Sequence, residues 1–256
     1  MMRERQQKIV EHVNNVGISS FGELAQMFEV SPFTIRRDVE YLDQARLLAK
    51  IKGGAQRIEA PSQFREARLP NRGQINLKQK ERIARKALEF VHPGDTIFLD
   101  GSSTIACLAR LLAQHTPDIT VVTNSVLITL ELSEAPQIRL IGLGGIFDPE
   151  TLSFVGFDVD EDTRNINIEK AFFSCTGLIP EEGTFENAAF NRNTKRLIAR
   201  RANKVYLLID SSKVGKRALN RVLKINEIDV LITEKKFEVQ ERSVLDENQV
   251  EVIDVI

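Results

Sequence analysis

Val30-Ser-Pro-Phe-Thr-Ile-Arg-Arg-Asp38 decides how the amino-terminal region reads. Ser31 offers a side-chain oxygen to helix N–H groups, and Pro32, which lacks an N–H, suits the first helical position. A helix therefore starts here, with Ile35, Val39 and Leu42 on its apolar side and Phe33, Thr34, Arg36 and Arg37 on the other. Upstream, Ile9, Val13 and Val16 recur at helical spacing, and Gly17 supplies a stop. Ser20-Phe-Gly-Glu23 has the S-x-x-E form of a capping box ahead of Leu24 and Phe28. These spacings predict three helices, the second and third joined by a tight turn at Glu29-Val30. Downstream, Leu48–Ile51 and Ala55–Ile58 flank Lys52-Gly53-Gly54, the pattern of a hairpin with turn glycines.

Two helices joined by a tight turn, the second opening with Ser31, Pro32, Phe33 and Thr34 before Arg36 and Arg37, have the geometry of a recognition helix entering the major groove. Arginine is the side chain that reads guanine through two hydrogen bonds. The hairpin then acts as a wing whose Lys50, Lys52 and Arg57 face phosphates. The expected module is a winged helix-turn-helix over 1–58. A three-helix adaptor that binds only protein fits the three helices equally well.

Charge is unevenly distributed. Residues 1–90 carry 17 Lys/Arg against 11 Asp/Glu, and the remainder carries 18 against 25, so a basic head precedes an acidic body. Such a split suits a head that meets a polyanion. With 256 residues, 42% hydrophobic and 28% charged, the chain has the composition of an ordinary globular protein, which excludes disorder, collagen and a wholly basic coat protein. No run approaches the roughly 18 apolar residues of a membrane span, and the opening MMRERQQKIVEH is too polar for a signal peptide. A cytoplasmic protein with no membrane contact is expected. Cys107 and Cys175 form no disulfide framework, in keeping with a reducing compartment.

Residues 59–76 contain Pro61, Pro70 and Gly73 without periodicity and read as a linker. The region 77–256 opens with an amphipathic helix that buries Ile83, Ala84, Ala87, Leu88 and Val91, its five Lys/Arg facing solvent. Beyond it, apolar runs alternate with helical patterns: strands at Thr96–Asp100, Ile119–Asn124, Ile138–Leu143, Lys170–Thr176, Val205–Asp210, Val230–Thr233 and Val250–Val255. This is an α/β pattern with a mainly parallel sheet covered on both faces. Ligands of such sheets lie outside the carboxyl ends of the strands. Asp100-Gly101-Ser102-Ser103-Thr104 opens directly into a helix there, a sound phosphate cradle that also reads as an ordinary capped turn. Thr123-Asn124-Ser125, Gly144-Gly145 and Asp210-Ser-Ser-Lys213 end other strands, and Lys213 can neutralise phosphate as a point charge. No G-x-G-x-x-G and no Walker lysine pattern occurs, which disfavours a nucleotide. His12, His92 and His115 lack metal-ligand spacing, so neither metal nor cofactor is expected.

The stretch Val30–Asp38, followed by Tyr41-Leu42-Asp43 and Lys52-Gly53-Gly54-Ala55, resembles the amino-terminal signature of the DeoR family of bacterial transcriptional regulators. Where that family has Glu-Gly before the wing and His-Gly-Gly in it, this chain has Gln44-Ala45 and Lys52. From about Leu77 to the end the chain resembles the DeoR sensor domain. The likeness lies in Leu99–Thr104, Val122–Ser125, Gly144-Gly145 with Gly156, Thr176-Gly177 with Gly183-Thr184, and Leu208–Lys213. That domain is similar to ribose-5-phosphate isomerase. The resemblance implies that Gly101 to Thr104 and Lys213 hold the phosphate of a sugar phosphate, with Thr123, Asn124, Glu186 and Asn187 near the sugar. Phe173-Ser-Cys-x-Gly177 looks most like regulators of deoxysugar catabolism such as the fucose regulator, a hint about substrate only.

A fold shared with an isomerase could still be catalytic, because moving a proton beside a carbonyl needs only a base and acid groups. The aspartate-rich isomerase motif is replaced here by Ser174-Cys175-Thr176-Gly177-Leu178, and the isomerase lysine and glutamate align with Phe185 and Thr194. Glu181, Glu182 and Glu186 remain nearby. The expectation is a non-catalytic regulator, a repressor of a carbohydrate operon: the head binds double-stranded operator DNA as a homodimer or homotetramer, and the α/β domain binds a sugar phosphate effector. An isomerase-like enzyme with an accessory helical domain is the alternative.

Overall fold

The computed structural model describes residues 4–44, 48–56, 73–115, 118–149, 151–155, 163, 165–187 and 189–255. They fall into two compact units, Met1–Gln63 and Phe64–Ile256. Most of the expected linker 59–76 lies outside the described residues.

The first unit runs α1 (Glu4–Val16), β1 (Ile18–Ser20), α2 (Phe21–Met27), α3 (Pro32–Gln44), β2 (Ala49–Ile51) and β3 (Gly54–Gln56). The capping box forms: Glu23 N donates to Ser20 Oγ at 3.1 Å, and Ser20 N donates to Glu23 Oε2 at 2.7 Å. The Ser20 hydrogen bonds, backbone foremost, hold the Glu23 carboxyl below its usual pKa. Ile9, Val13, Leu24, Ile35, Val39, Leu42, Leu48 and Ala55 are fully buried together. Val16, expected in the stripe of α1, sits at the helix end and is 53% exposed. The three strands form one antiparallel sheet in the order β1-β3-β2. The turn is Lys52-Gly53, and β3 starts at Gly54 rather than Ala55. A Cβ on Gly54 would stand 2.3 Å from the Ser19 carbonyl oxygen, so glycine alone lets β1 and β3 pair this closely. Arg57 and Ile58, expected in this strand, lie outside the described residues.

The second unit opens with α4 (Leu77–Leu88), β4 (Thr96–Leu99), α5 (Ser103–His115), β5 (Ile119–Thr123), α6 (Val126–Leu132) and β6 (Ile138–Gly142). A hairpin, β7 (Ile146–Asp148) and β8 (Ser153–Val155), precedes β9 (Ile168–Phe173), β10 (Gly177–Ile179), β11 (Gly183–Glu186) and α7 (Ala189–Arg201). β12 (Ala202–Leu208), β13 (Asn220–Arg221), β14 (Val230–Thr233), α8 (Val239–Glu247) and β15 (Glu251–Asp254) complete it. Seven strands form a parallel sheet in the order β15-β14-β12-β9-β4-β5-β6. α4, α5 and α6 cover one face through Ile83, Leu108 and Ile128, and α7 and α8 cover the other through Ile198 and Leu245. β9 ends at Phe173, three residues before the expected end, and the next N–H, that of Ser174, donates to Asp100 Oδ2 at 2.9 Å. The β7–β8 hairpin and the small β10-β11-β13 sheet were not expected. Phe154 N and Asn124 Nδ2 bond the Asn124 and Phe154 carbonyls at 2.8 Å each, which folds the hairpin over the end of β5.

Candidate functional site

On α3, Ser31 Oγ accepts from Thr34 N at 3.2 Å and fixes the first turn. Ile35, Val39 and Leu42 are fully buried, while Phe33 is 70% exposed and Arg36 and Arg37 reach solvent. Asp38 is buried. It accepts from Arg5 Nε at 2.7 Å and Gln6 Nε2 at 2.9 Å, tying α3 to α1. The sequence pattern did not separate this aspartate from the exposed residues beside it. Lys50 departs from the expected phosphate-facing position: its Nζ lies 2.5 Å from Glu40 Oε1, and that bond holds the Glu40 carboxyl below its usual pKa. Lys52 is exposed in the turn. The exposed side of α3 thus offers guanidinium donors, a hydroxyl and an aromatic ring, the set that reads base edges and thymine methyls.

In the second unit the strand order reverses between β4 and β9, and the crevice outside their carboxyl ends is where such sheets bind ligands. Two cavities open there. One is lined by Phe98, Asp100, Gly101, Ser102, Asn124, Thr151, Ser153, Glu186, Thr194 and Lys195. The other is lined by Ile75, Lys80, Ser102, Ser103, Thr104, Ser174, Cys175, Thr176, Glu186, Asp210, Ser212 and Lys213. Ser102 and Glu186 belong to both.

A buried charge cluster stands at this shared wall. Lys195 Nζ lies 2.9 Å from Asp100 Oδ2, donates to the Ser174 carbonyl at 2.6 Å and pairs with Glu186 Oε1. Burial by itself would lower the ammonium's pKa, but the Asp100 and Glu186 carboxylates outweigh it and hold Lys195 above the ordinary lysine value. Glu186 Oε2 accepts from Thr176 Oγ1 at 2.9 Å, and Asp100 Oδ1 accepts from Ser102 N at 2.9 Å. A Cβ on Gly101 would stand 2.4 Å from Ser153 Oγ, so a larger residue here would require the Ser153 side chain to turn away.

The second cavity has a different character. Ser103 and Thr104 begin α5, and their N–H groups have no carbonyl one turn earlier in the helix. Lys80 and Lys213 stand on its walls. Lys80 is 3% exposed and donates to the Ile75 carbonyl at 2.7 Å, which corrects the expectation that every cation of α4 faces solvent. Asp210 Oδ1 accepts from Asn76 Nδ2 at 3.0 Å and Ser212 N at 3.1 Å, shaping the turn that carries Lys213. A helix N-terminus flanked by two ammonium groups suits an anion, with the Asp210 and Glu186 carboxylates on the same walls opposing it.

Of the other expected residues, Asn124 lines the first cavity, but Thr123 and Ser125 are structural. Thr123 Oγ1 donates to the Leu99 carbonyl at 2.7 Å, and Ser125 Oγ caps α6 by accepting from Ile128 N at 3.4 Å. Gly144, Gly145 and Asn187 line neither cavity. Gly145 is pressed against Val155 of β8, and Asn187 Oδ1 accepts from Leu219 N at 3.5 Å. Glu182 pairs with Arg217 at 3.0 Å, a contact that lowers its carboxyl pKa, so of Glu181, Glu182 and Glu186 only the last enters the crevice. The reading that acid and base groups are missing is also corrected. Glu186 and Lys195 stand on the crevice wall beside Asp100 and supply such groups. Among the described residues no three His, Cys, Asp or Glu side chains could hold a metal ion, and no helix is long and apolar enough to cross a membrane.

Residues 5–60 match the model of the DeoR-like helix-turn-helix domain, and residues 75–235 match that of the DeoR C terminal sensor domain. The chain belongs to the DeoR family. A relative, the uncharacterized HTH-type transcriptional regulator YulB of Bacillus subtilis (strain 168), is 33% identical over 254 residues, covering 98% of this chain and 96% of its own. The L-fucose operon activator of Haemophilus influenzae is 32% identical, covering 91% and 92%. The lactose phosphotransferase system repressor of Streptococcus mutans is 32% identical, covering 90% and 91%. Among solved structures, a D-ribose-5-phosphate isomerase in complex with phospho-erythronic acid superposes with a TM-score of 0.42 at 20% identity, over 54% of each chain.

Proposed function

We propose that this DeoR-family regulator binds operator DNA through the exposed side of α3 and the β2–β3 wing, and that a sugar phosphate in the crevice controls that binding. The observation that carries the effector reading is the second cavity, where the first turn of α5 meets Lys80 and Lys213 at the switch point of the sheet. Relatives named for a fucose operon and a lactose phosphotransferase system support a carbohydrate operon as the target. One is an activator and the other a repressor; we take repression as the sign here. A single winged helix makes few contacts, so the regulator works as a homodimer or homotetramer.

The Asp100–Lys195–Glu186 cluster keeps a second reading in play, catalysis of sugar-phosphate isomerisation. Against it, the ammonium is already shared among Asp100, Glu186 and the Ser174 carbonyl, and the named relatives are regulators. A thermal-shift screen against free and phosphorylated sugars tests the sensor reading. Ligand at about 100 times its Kd adds roughly 2.7 kcal/mol to native-state stability, a clear shift. A sugar phosphate that stabilises the protein without being converted supports a sensor. Turnover above background, lost in Glu186→Gln, would establish the enzyme instead.

A further inference from the structure

We propose that the crevice discriminates by charge along its length: the second cavity takes one phosphate, while the first takes an uncharged, hydroxyl-bearing end of the same sugar and rejects a second phosphate. The inference rests on the sensor reading above and specifies the effector as a monophosphate.

The first cavity's wall carries two carboxylates, Asp100 and Glu186, and one ammonium, Lys195, a net charge of minus one. No other cation lines it among the described residues. An ammonium has three N–H donors. Those of Lys195 are directed at Asp100 Oδ2 at 2.9 Å, the Ser174 carbonyl at 2.6 Å and Glu186 Oε1. A phosphate entering here therefore meets a cation whose donors are already committed, beside two carboxylates that repel it. Hydroxyls meet the opposite situation. An ionised carboxylate offers about four lone-pair sites. Glu186 uses one for Lys195 and one for Thr176 Oγ1, so acceptor capacity remains toward the cavity. Asn124, Ser102, Thr194 and Ser153 add further polar groups on the same walls. Carboxylate acceptors pair a polyol hydroxyl but repel a phosphate oxygen, and selectivity is largest where the wrong group strands buried polar partners. Because Ser102 and Glu186 line both cavities, one small molecule can occupy the pair at once.

The test is isothermal titration of the full chain with inorganic phosphate, a panel of pentose and hexose monophosphates, and the bisphosphates of the same sugars. Expected is binding of inorganic phosphate and of at least one monophosphate, with the matching bisphosphate at least about tenfold weaker. Glu186→Gln, which makes the cluster neutral, should narrow that ratio. A bisphosphate that binds the parent protein as tightly as its monophosphate overturns the inference and leaves the sensor reading standing. If inorganic phosphate and every sugar phosphate fail to bind, the sensor reading falls and the inference with it. The comparison in the parent protein decides the matter even if Glu186→Gln does not fold.

Discussion

Lys195 holds the crevice together by standing between two buried carboxylates, and its removal leaves Asp100 and Glu186 facing each other without a counter-charge. Breaking a buried pair from one side typically costs about 3–5 kcal/mol. Lys195→Met should therefore lower the urea midpoint of the second unit far more than a substitution at an exposed cation such as Arg110, and near-equal midpoints would show the cluster to be incidental. Alkali bears on a second buried side chain. Burial pushes the Tyr206 hydroxyl from 10.0 up to about 12. The folded value is raised, so its contribution to stability is complete below pH 10 and fades as the pH climbs toward 12. Urea unfolding at pH 9 and pH 11 should show Tyr206→Phe keeping more of its stability at the higher pH than the parent. Neither lysine role was legible in the sequence. Lys80 lies on a helix face rich in cations, and Lys195 precedes Arg196, so both pattern as solvated until distant residues arrive to enclose them.

Elements with a strong local signal were legible, and those held by distant partners were not. α2 and α3 carry their own caps, and the sheet strands are apolar runs buried on both faces, so periodicity and length found them. β1 is three residues, Ile18-Ser-Ser20, recruited by β3. The β7–β8 hairpin is anchored by hydrogen bonds to the end of β5, which no short window of sequence contains. The close β1–β3 approach makes Gly54→Ala a sharp test at this scale. Its Cβ would collide with backbone rather than with a side chain that could swing away, so the first unit should lose stability by more than about 1 kcal/mol, with weakened DNA binding. An alanine at that position with unchanged melting would contradict the sheet as described. On α3, Arg36→Ala and Arg37→Ala should each weaken operator binding, by about 1–3 kcal/mol and mainly at the specific site where the contact is to a guanine edge. Loss that is uniform across DNA sequences, with a shallower salt slope, would assign that arginine to phosphate.

In the proposed regulator a DNA-binding head is coupled to a crevice that takes a sugar phosphate, and a ligand can couple the two only through different affinities for two states of the protein. The division into a basic head and an acidic α/β body was already legible from charge and from the change in hydrophobic period along the chain. The composition of the crevice was half legible: the Ser102–Thr104 turn and Lys213 announce themselves at strand ends, whereas Thr123 and Gly145, in similar positions, serve the fold, and Gly144 lines neither cavity. In the proposed mechanism an anion held by Lys213 controls DNA binding by a separate surface. Fluorescence anisotropy on an operator selected from a randomised pool, with and without the best-binding sugar phosphate, tests it directly when run on the parent and on Lys213→Ala. Expected is equal operator affinity for the two proteins without effector, and an effector response that in the variant is lost or needs at least about tenfold more ligand. A folded Lys213→Ala protein that responds at the parent's effector concentration would contradict it.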